Sequence, residues 1–477
     1  MDKLQRMYYN QYSMFTMKEM DYMEDKYRSD LTKGNVSIKL LKFTIPFLLA
    51  QVLQALYGIV DMFIVGQFMG DYGITAVNTS SNVSYFITNL VSGFAMSGTV
   101  LVAQYIGAKE EDNARKTIGT IFTMFLILSV VFTVAGLFIT PHLLTLLKTP
   151  EESYREACNY LYICFTGTVF ICGYNAVSAI LRGLGDSKRP LMFVAVAAVT
   201  NIILDIVFVG PLKMGAGGAA LATIIAQALS FTLAVITLYR QNFIFDFKPK
   251  SFVIDKSKLP LIFKIGLPSA VQSTVVNVSI FFVISRINVY GLAASTAAGI
   301  CSKIDSFAIL PTIAISQAIS SMAGQNLGAR EIERAKQTLF AGIRMSLIFA
   351  LCIFAVVRFN GGTLVELFGC DADTVEIGLQ YIKYVSICYF GNAIVFMFSG
   401  FATGSGNSIF AMMNAICNMV LARISLVFVF EDIMGLGLAG IFMALGLSQF
   451  AGLIPSSIFY FSGVWKKDAI HKNADKE

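Results

Sequence analysis

The chain has 477 residues, 56% of them hydrophobic and only 14% charged, with a mean hydropathy of +0.68. A soluble domain of that length carries roughly a quarter charged residues, so the composition excludes an ordinary water-soluble fold. The net charge of +6 is read as a topological bias of membrane loops, and no nucleic-acid partner is expected.

Residues 1–38 are polar and charged. They are too long and too acidic for the n-region of a signal peptide, so none is expected. The segment reads as a cytoplasmic tail or as an amphipathic helix along the inner leaflet. Twelve apolar stretches follow, each able to cross a ~30 Å hydrocarbon core as a helix. They fall near 43–69, 83–107, 118–140, 157–182, 190–210, 217–240, 262–289, 295–327, 337–357, 378–402, 409–430 and 436–465. The expected fold is an all-α integral membrane protein of twelve transmembrane helices in two pseudo-symmetric six-helix lobes. The N-lobe covers 39–242 and the C-lobe 261–465. A basic linker, 243–260, joins them, and a cytoplasmic tail, 466–477, follows. Trp465 closes the last span beside Lys466 and Lys467 and reads as an interfacial anchor. The eight cysteines show no CxxC spacing and read as small buried hydrophobes, with Cys370 the one expected to be exposed.

The two halves repeat. Gln104-Tyr-Ile-Gly107-Ala108 returns as Gln325-Asn-Leu-Gly328-Ala329, an offset of 221 residues (328 − 107), and Gly183-Leu-Gly185-Asp returns as Gly404-Ser-Gly406-Asn at the same offset. Pro46 and Pro268 each stand four residues after a lysine near the start of a span. Repeated halves in a membrane chain suggest two packed bundles with a site between or within them, which points to a transporter. Lys and Arg are concentrated in the N-terminal segment, the even-numbered connections and the tail, so both termini are expected in the cytoplasm of a multi-pass cell-membrane protein.

Ionisable groups inside spans are costly and commonly functional. Asp61 lies in span 1 and Asp205 in span 5, with Asn201 four residues before it on the same helix face. Counting from the span ends places these three and Thr223 of span 6 at similar height in the outer third of the bilayer. Two carboxylates, an amide and a hydroxyl supply oxygens for a small hard cation, or share a proton. The other reading is structural, with both acids hydrogen-bonded to hydroxyls and holding helices in register. Gln51, Gln54 and Tyr57 continue a polar stripe on span 1 and are candidate cavity-lining residues.

Pro46, Leu56-Tyr-Gly-Ile-Val-Asp61-Met-Phe, Leu181-Arg-Gly-Leu-Gly-Asp186 with Asn201-Ile-Ile-Leu-Asp205, and Gln325-Asn-Leu-Gly-Ala329 together resemble the multidrug and toxic compound extrusion (MATE) family, in order and over about 38–465. The resemblance implies a monomeric exporter of drugs, organic cations or other xenobiotics, exchanged by alternating access for H⁺ or Na⁺. It implies no cofactor. It also implies that the coupling cation sits at Asp61, Asn201, Asp205 and Thr223, and that Pro46 is the hinge or static kink of span 1. An alternative cation site in the C-lobe of some members needs an acid in span 7, and 262–289 holds neither Asp nor Glu. The C-lobe instead carries Arg286, Lys303, Asp305 and Arg423. These read either as a salt-bridge network centred on Asp305, with Arg286 snorkelling to the interface, or as a cavity wall favouring anionic or zwitterionic cargo.

The competing transporter reading is a flippase for lipid-linked saccharide or cell-wall precursors, favoured by the basic C-lobe and disfavoured by the N-lobe acids. A membrane enzyme is not expected, since His142 and His471 are isolated and there is no HExxH, nucleophile elbow or Walker loop. A passive channel gives no reason for paired acids.

Overall fold

In the computed structural model, residues 29–240, 243–369, 371–467 and 469–471 are described, and all regular structure among them is helical. Ten helices are long and apolar enough to cross a membrane, or twelve spans when each of two bent pairs is counted as one. Spans 1, 2 and 3 are Val36–Gly70, Tyr72–Gly107 and Glu111–Leu146. Span 4 joins Glu151–Thr166 to Thr168–Gly183 through a 49° bend, and spans 5 and 6 are Lys188–Val209 and Gly215–Arg240. The C-lobe follows the same plan with spans 7, 8 and 9 at Leu259–Asn288, Leu292–Gly328 and Ile332–Glu366. Span 10 joins Ala372–Val385 to Cys388–Gly404 through 45°, and spans 11 and 12 are Ser408–Ile433 and Gly437–Ser462.

The repeat extends to backbone geometry. Left-handed residues recur at the sequence offset: Gly70 and Gly291, Lys109 and Arg330, Lys148 and Gly369, Gly185 and Gly406 (each pair 221 apart, as in 291 − 70). These residues end helices and turn the chain, so both lobes are built on the same corners. At Gly70, φ of 69° with ψ of −157° separates span 1 from span 2; only glycine adopts that conformation without strain. Asn35 caps span 1 by accepting from the Ile38 N–H at 3.1 Å, and Asp371 caps span 10 by accepting from Thr374 N–H at 3.1 Å. Two apolar clusters lie each within a single lobe, and two others take residues from both lobes. Phe138, Phe359 and Phe461 stand on the outside, exposed as lipid-facing rings are.

The lobes meet where spans 2 and 8 cross at their linker-side ends. A Cβ added at Gly107 would lie 2.0 Å from the Gln325 carbonyl oxygen, and one at Gly328 would lie 2.0 Å from the Gln104 carbonyl oxygen. The two backbones therefore approach more closely than any other residue permits. Around this crossing the repeated glutamines bond across the lobes. Gln104 Nε2 donates to the Gly404 carbonyl and Gln325 Nε2 to the Gly183 carbonyl, both at 2.9 Å. Their Oε1 atoms accept from Ala469 N–H and Leu31 N–H, both at 3.1 Å. Segments from outside the two bundles thus complete the same lock.

The connection between lobes is packed, not a solvated linker. Phe245 is buried against Phe122 (centroids 5.6 Å apart). Arg115 Nε donates to the Ile244 carbonyl at 2.9 Å, and Lys258 Nζ donates to Asn113 Oδ1 at 2.8 Å and the Tyr105 hydroxyl at 3.0 Å. In the other half Arg334, at the position equivalent to Asn113 (334 − 221), donates to the carbonyls of Leu31, Lys33 and Gly34. Each lobe is therefore preceded by a strap bound to the other. Trp465 is no interfacial anchor: it is buried, stacks on Tyr460 at 13° and donates to the Tyr460 carbonyl at 2.9 Å. Cys352, expected to be buried, is exposed on span 9. The amphipathic-helix reading of the N-terminal segment and the exposure of Cys370 lie outside the described residues. Span 1 runs helically through Pro46, with its one non-helical position at Gly70.

Gly328→Val is expected to disfavour the closed crossing by about 1–3 kcal/mol through overpacking, which is about 5- to 150-fold in the open-to-closed ratio. Maleimide labelling of a cysteine placed at buried Ala103, in a background lacking the native cysteines, measures it; an unchanged rate would contradict the close approach.

Candidate functional site

Two separate polar regions occupy the interior. The first lies inside the N-lobe. Span 5 begins at a cap in which Asp186 Oδ1 accepts from the N–H groups of Lys188 and Arg189 at 3.0 and 3.2 Å, with the Arg189 guanidinium paired to the same carboxylate. The helix then runs unbroken to Val209, so Asn201 and Asp205 fall on one face, and both are buried. Asn201 Nδ2 donates to Thr223 Oγ1 of span 6 at 3.3 Å. Asp61 of span 1 is buried beside them, within electrostatic reach of Asp205. Tyr57, one turn before Asp61, is within reach of both acids.

Asp61 Oδ1, both Asp205 oxygens and Asn201 Oδ1 are buried without a hydrogen-bond partner. Buried polar atoms of native proteins are nearly always satisfied, and these four cannot satisfy one another. Ionised carboxylate oxygens only accept, and no donor in the structure reaches these four oxygens. A proton or a small hard cation would supply a partner, and the oxygen-only donor set with one hydroxyl fits such a cation. Among the described residues no group of three His, Cys, Asp or Glu side chains is placed to hold a metal ion.

The second region is a cavity of about 1060 Å³ between the lobes. Its walls run from Arg182 and Thr403, near the crossing, to Asn288 and Ser295 at the opposite ends of spans 7 and 8. Gln51, Gln54, Lys303, Asp305 and Arg423 line it. Tyr57 and Arg286 are not among its lining residues, and neither are Asp61, Asn201, Asp205 and Thr223. Tyr57 lies instead within electrostatic reach of Asp61 and Asp205.

The salt-bridge network centred on Asp305 is not what the structure holds. Asp305 accepts from the Tyr381 hydroxyl at 2.8 Å and the Tyr389 hydroxyl at 2.5 Å. Two phenols can stabilise a carboxylate without neutralising it, so no cation is needed beside it. Arg286 instead bonds Glu431 at 2.9 Å and Asp432 at 2.6 Å, lies over the Phe428 ring, and ties span 7 to the end of span 11. Tyr290 donates to the same Glu431 at 3.0 Å. Sequence reasoning missed Glu431 because it ended span 11 one residue earlier. It missed Arg182 because that residue sits at a span end, where snorkelling is the ordinary expectation. Tyr381 and Tyr389, eight apart on a bent span, carried no signal that separates them from packing tyrosines.

Comparison with known proteins gives a consistent result. The family model described as MatE matches residues 46–207 and 268–429, one copy in each lobe. The chain is 29% identical over 437 residues to the "Probable multidrug resistance protein YpnP" of Bacillus subtilis, covering 92% of this chain and 97% of that protein. It is 24% identical to the "Probable multidrug resistance protein NorM" of Thermotoga maritima, covering 91% and 94%. Among solved structures, a MOP superfamily transporter from Pyrococcus furiosus, described as having a binding pocket of reverse polarity, superposes with a TM-score of 0.86 at 21% identity, over 92% of this chain and 98% of that one. With matches in both lobes, in the order and at the repeat spacing of the motifs above, the chain belongs to the MATE family.

Proposed function

We propose that this protein is a secondary active antiporter that exports drugs or other xenobiotics in exchange for H⁺ or Na⁺ by alternating access. The observation that carries the reading is the set of four buried, unpartnered oxygens at Asp61, Asn201 and Asp205, walled off from the cavity that would hold cargo. The names of the similar proteins, probable multidrug resistance proteins, support the export of drugs. The excess of Lys and Arg at the linker side orients that side to the cytoplasm of a cell-membrane protein working as a monomer. On that orientation the lobes are closed inward and the cavity faces out.

In this outward-facing state the N-lobe acids would hold the coupling cation. Two neighbouring carboxylates in a low dielectric cannot both stay charged cheaply, so binding a proton or Na⁺ relieves a repulsion. Coupling requires that the cation bind more tightly in one state than in the other, and cargo and cation need not touch. Span 1 connects the two regions, since Gln51 and Gln54 line the cavity and Asp61 lies two to three turns further on. Pro46 cannot donate to the Lys42 carbonyl, which gives the base of the span a point of flexure; it is the proposed hinge. The N-lobe acids weigh against the flippase reading, whose lipid-linked cargo gives them no task.

Drug efflux from proteoliposomes under separately imposed H⁺ and Na⁺ gradients tests the proposal. One gradient should drive efflux in the wild type, and Asp61→Asn and Asp205→Asn should each lose the gradient-driven efflux, since intramembrane acids mark ion pathways. Efflux retained in both variants would remove the coupling assignment, and none in a well-folded wild type would turn attention to a flippase assay.

The same variants separate coupling from scaffolding. Because both carboxylates lack hydrogen-bonded partners, Asp→Asn should leave the melting temperature unchanged or raise it by a few degrees, about 1 kcal/mol. A fall beyond that range in either variant would mean the acid holds helices together.

A further inference from the structure

Span 11 is the least regular helix of the C-lobe. Its turns widen to π spacing over Ile416–Ala422 and again over Phe428–Ile433, and Arg423–Val427 between them is α-helical. Widened turns re-aim the residues that follow and recur at functional sites. Arg423 is only 6% exposed, yet its side chain lines the central cavity. It lies ten residues from the end of the span (433 − 423), about 15 Å along the axis, too far to snorkel to the interface.

The contacts of Arg423 do not account for its charge. Nε reaches the Ser448 hydroxyl at 3.4 Å and one terminal nitrogen reaches the Ser279 hydroxyl at 3.3 Å. Ser279 directs its own proton to the Met419 carbonyl. The other terminal nitrogen has no partner, and no carboxylate pairs with the guanidinium among the described residues. A glutamine could bridge the same two serines without burying a charge.

The remaining charges on the cavity wall have the same sign. Arg182 stacks over the Phe47 ring at 5.5 Å with its Nε unpartnered and, among the described residues, no acid paired with it. Lys303 is exposed and unpaired on span 8. Against these three cations stands one acid, Asp305, already held by two tyrosines. The described lining thus keeps two uncompensated positive charges (3 − 1) in a mostly apolar cavity. A guanidinium is a planar fork suited to carboxylate, sulfonate and phosphonate groups.

We infer that the central cavity recognises an organic anion, its acidic group seated on Arg423 and its apolar body against aromatic side chains such as Phe47, Tyr174 and Phe396. This rests on the export reading and narrows its cargo away from the organic cations that the family resemblance implies.

The test compares fluorescein, an anionic xanthene, with tetramethylrosamine, a cationic xanthene lacking the carboxyl. Equilibrium binding to the full chain is measured by fluorescence anisotropy in phosphatidylcholine nanodiscs, with empty nanodiscs subtracted. Fluorescein should bind saturably and more tightly than tetramethylrosamine. Arg423→Gln should raise its Kd at least about ten-fold, Arg423→Lys should restore part of the loss, and Lys303→Gln should raise the Kd about two- to five-fold. Since Arg423→Gln is a buried change, Lys303→Gln at an exposed position decides the matter if the former does not fold. Tighter binding of tetramethylrosamine, no saturable fluorescein binding, or a fluorescein Kd unmoved by the variants that fold would overturn the inference. Charge-dependent fluorescein binding without gradient-driven efflux would sink the export reading and leave the anion site standing. Efflux of tetramethylrosamine alone would do the reverse.

Discussion

The crossing of spans 2 and 8 is the constraint on which the rest of the molecule depends. Gly107 and Gly328 let two backbones approach to a distance at which either Cβ would overlap a carbonyl oxygen. In a bilayer, where apolar side chains gain little by leaving lipid for protein, such close approach and the hydrogen bonds around it are what hold helices together. Gln104 and Gln325 supply those bonds, each donating to a glycine carbonyl of the other lobe and accepting from a backbone N–H outside the two bundles. With this end shut, the space between the lobes becomes a cavity with a floor instead of a channel. The contact is almost self-complementary because the sequence repeat makes both sides of it from the same motif.

The lock also explains why the connecting segments are not free. Arg334 holds the strap before span 1 through three carbonyls, and Lys258 holds the strap before span 7 through Asn113 and Tyr105. Separation of the lobes at this face requires the glutamine bonds and these strap contacts to change together. Each is modest alone, since a net hydrogen bond is worth about 0.5–1.5 kcal/mol. Several broken in concert give a barrier between discrete states, which alternating access needs and which a continuously deformable interface would not provide.

Charge is partitioned between the two polar regions. The unpaired acids sit in the N-lobe, sealed from the cavity, while the unpaired cations Arg182, Lys303 and Arg423 face it. Kept apart, each set retains an unmet interaction that a mobile species can satisfy. Where an acid and a base do meet, at Arg286 with Glu431 and Asp432, the result is a fastening between spans 7 and 11.

Much of this was legible in the chain. Twelve apolar stretches became twelve spans, and the 221-residue repeat reappears in four pairs of left-handed backbone positions. The N-lobe quartet could be assembled by counting, because helical rise converts residue number into depth and a four-residue spacing puts Asn201 and Asp205 on one face. Rotation about each helix axis was not legible. A soluble helix advertises its buried face by hydrophobic periodicity, but a membrane helix is apolar toward both lipid and core. The sequence by itself therefore determined how many apolar spans there are and which stretch of chain forms each. Only the tertiary structure decided which residues face one another: Arg286 with Glu431 rather than Asp305, Tyr57 with the acids rather than the cavity, Trp465 in the core rather than at the interface. Depth is a one-dimensional property that the order of residues encodes directly, whereas azimuth is set by contacts between different helices.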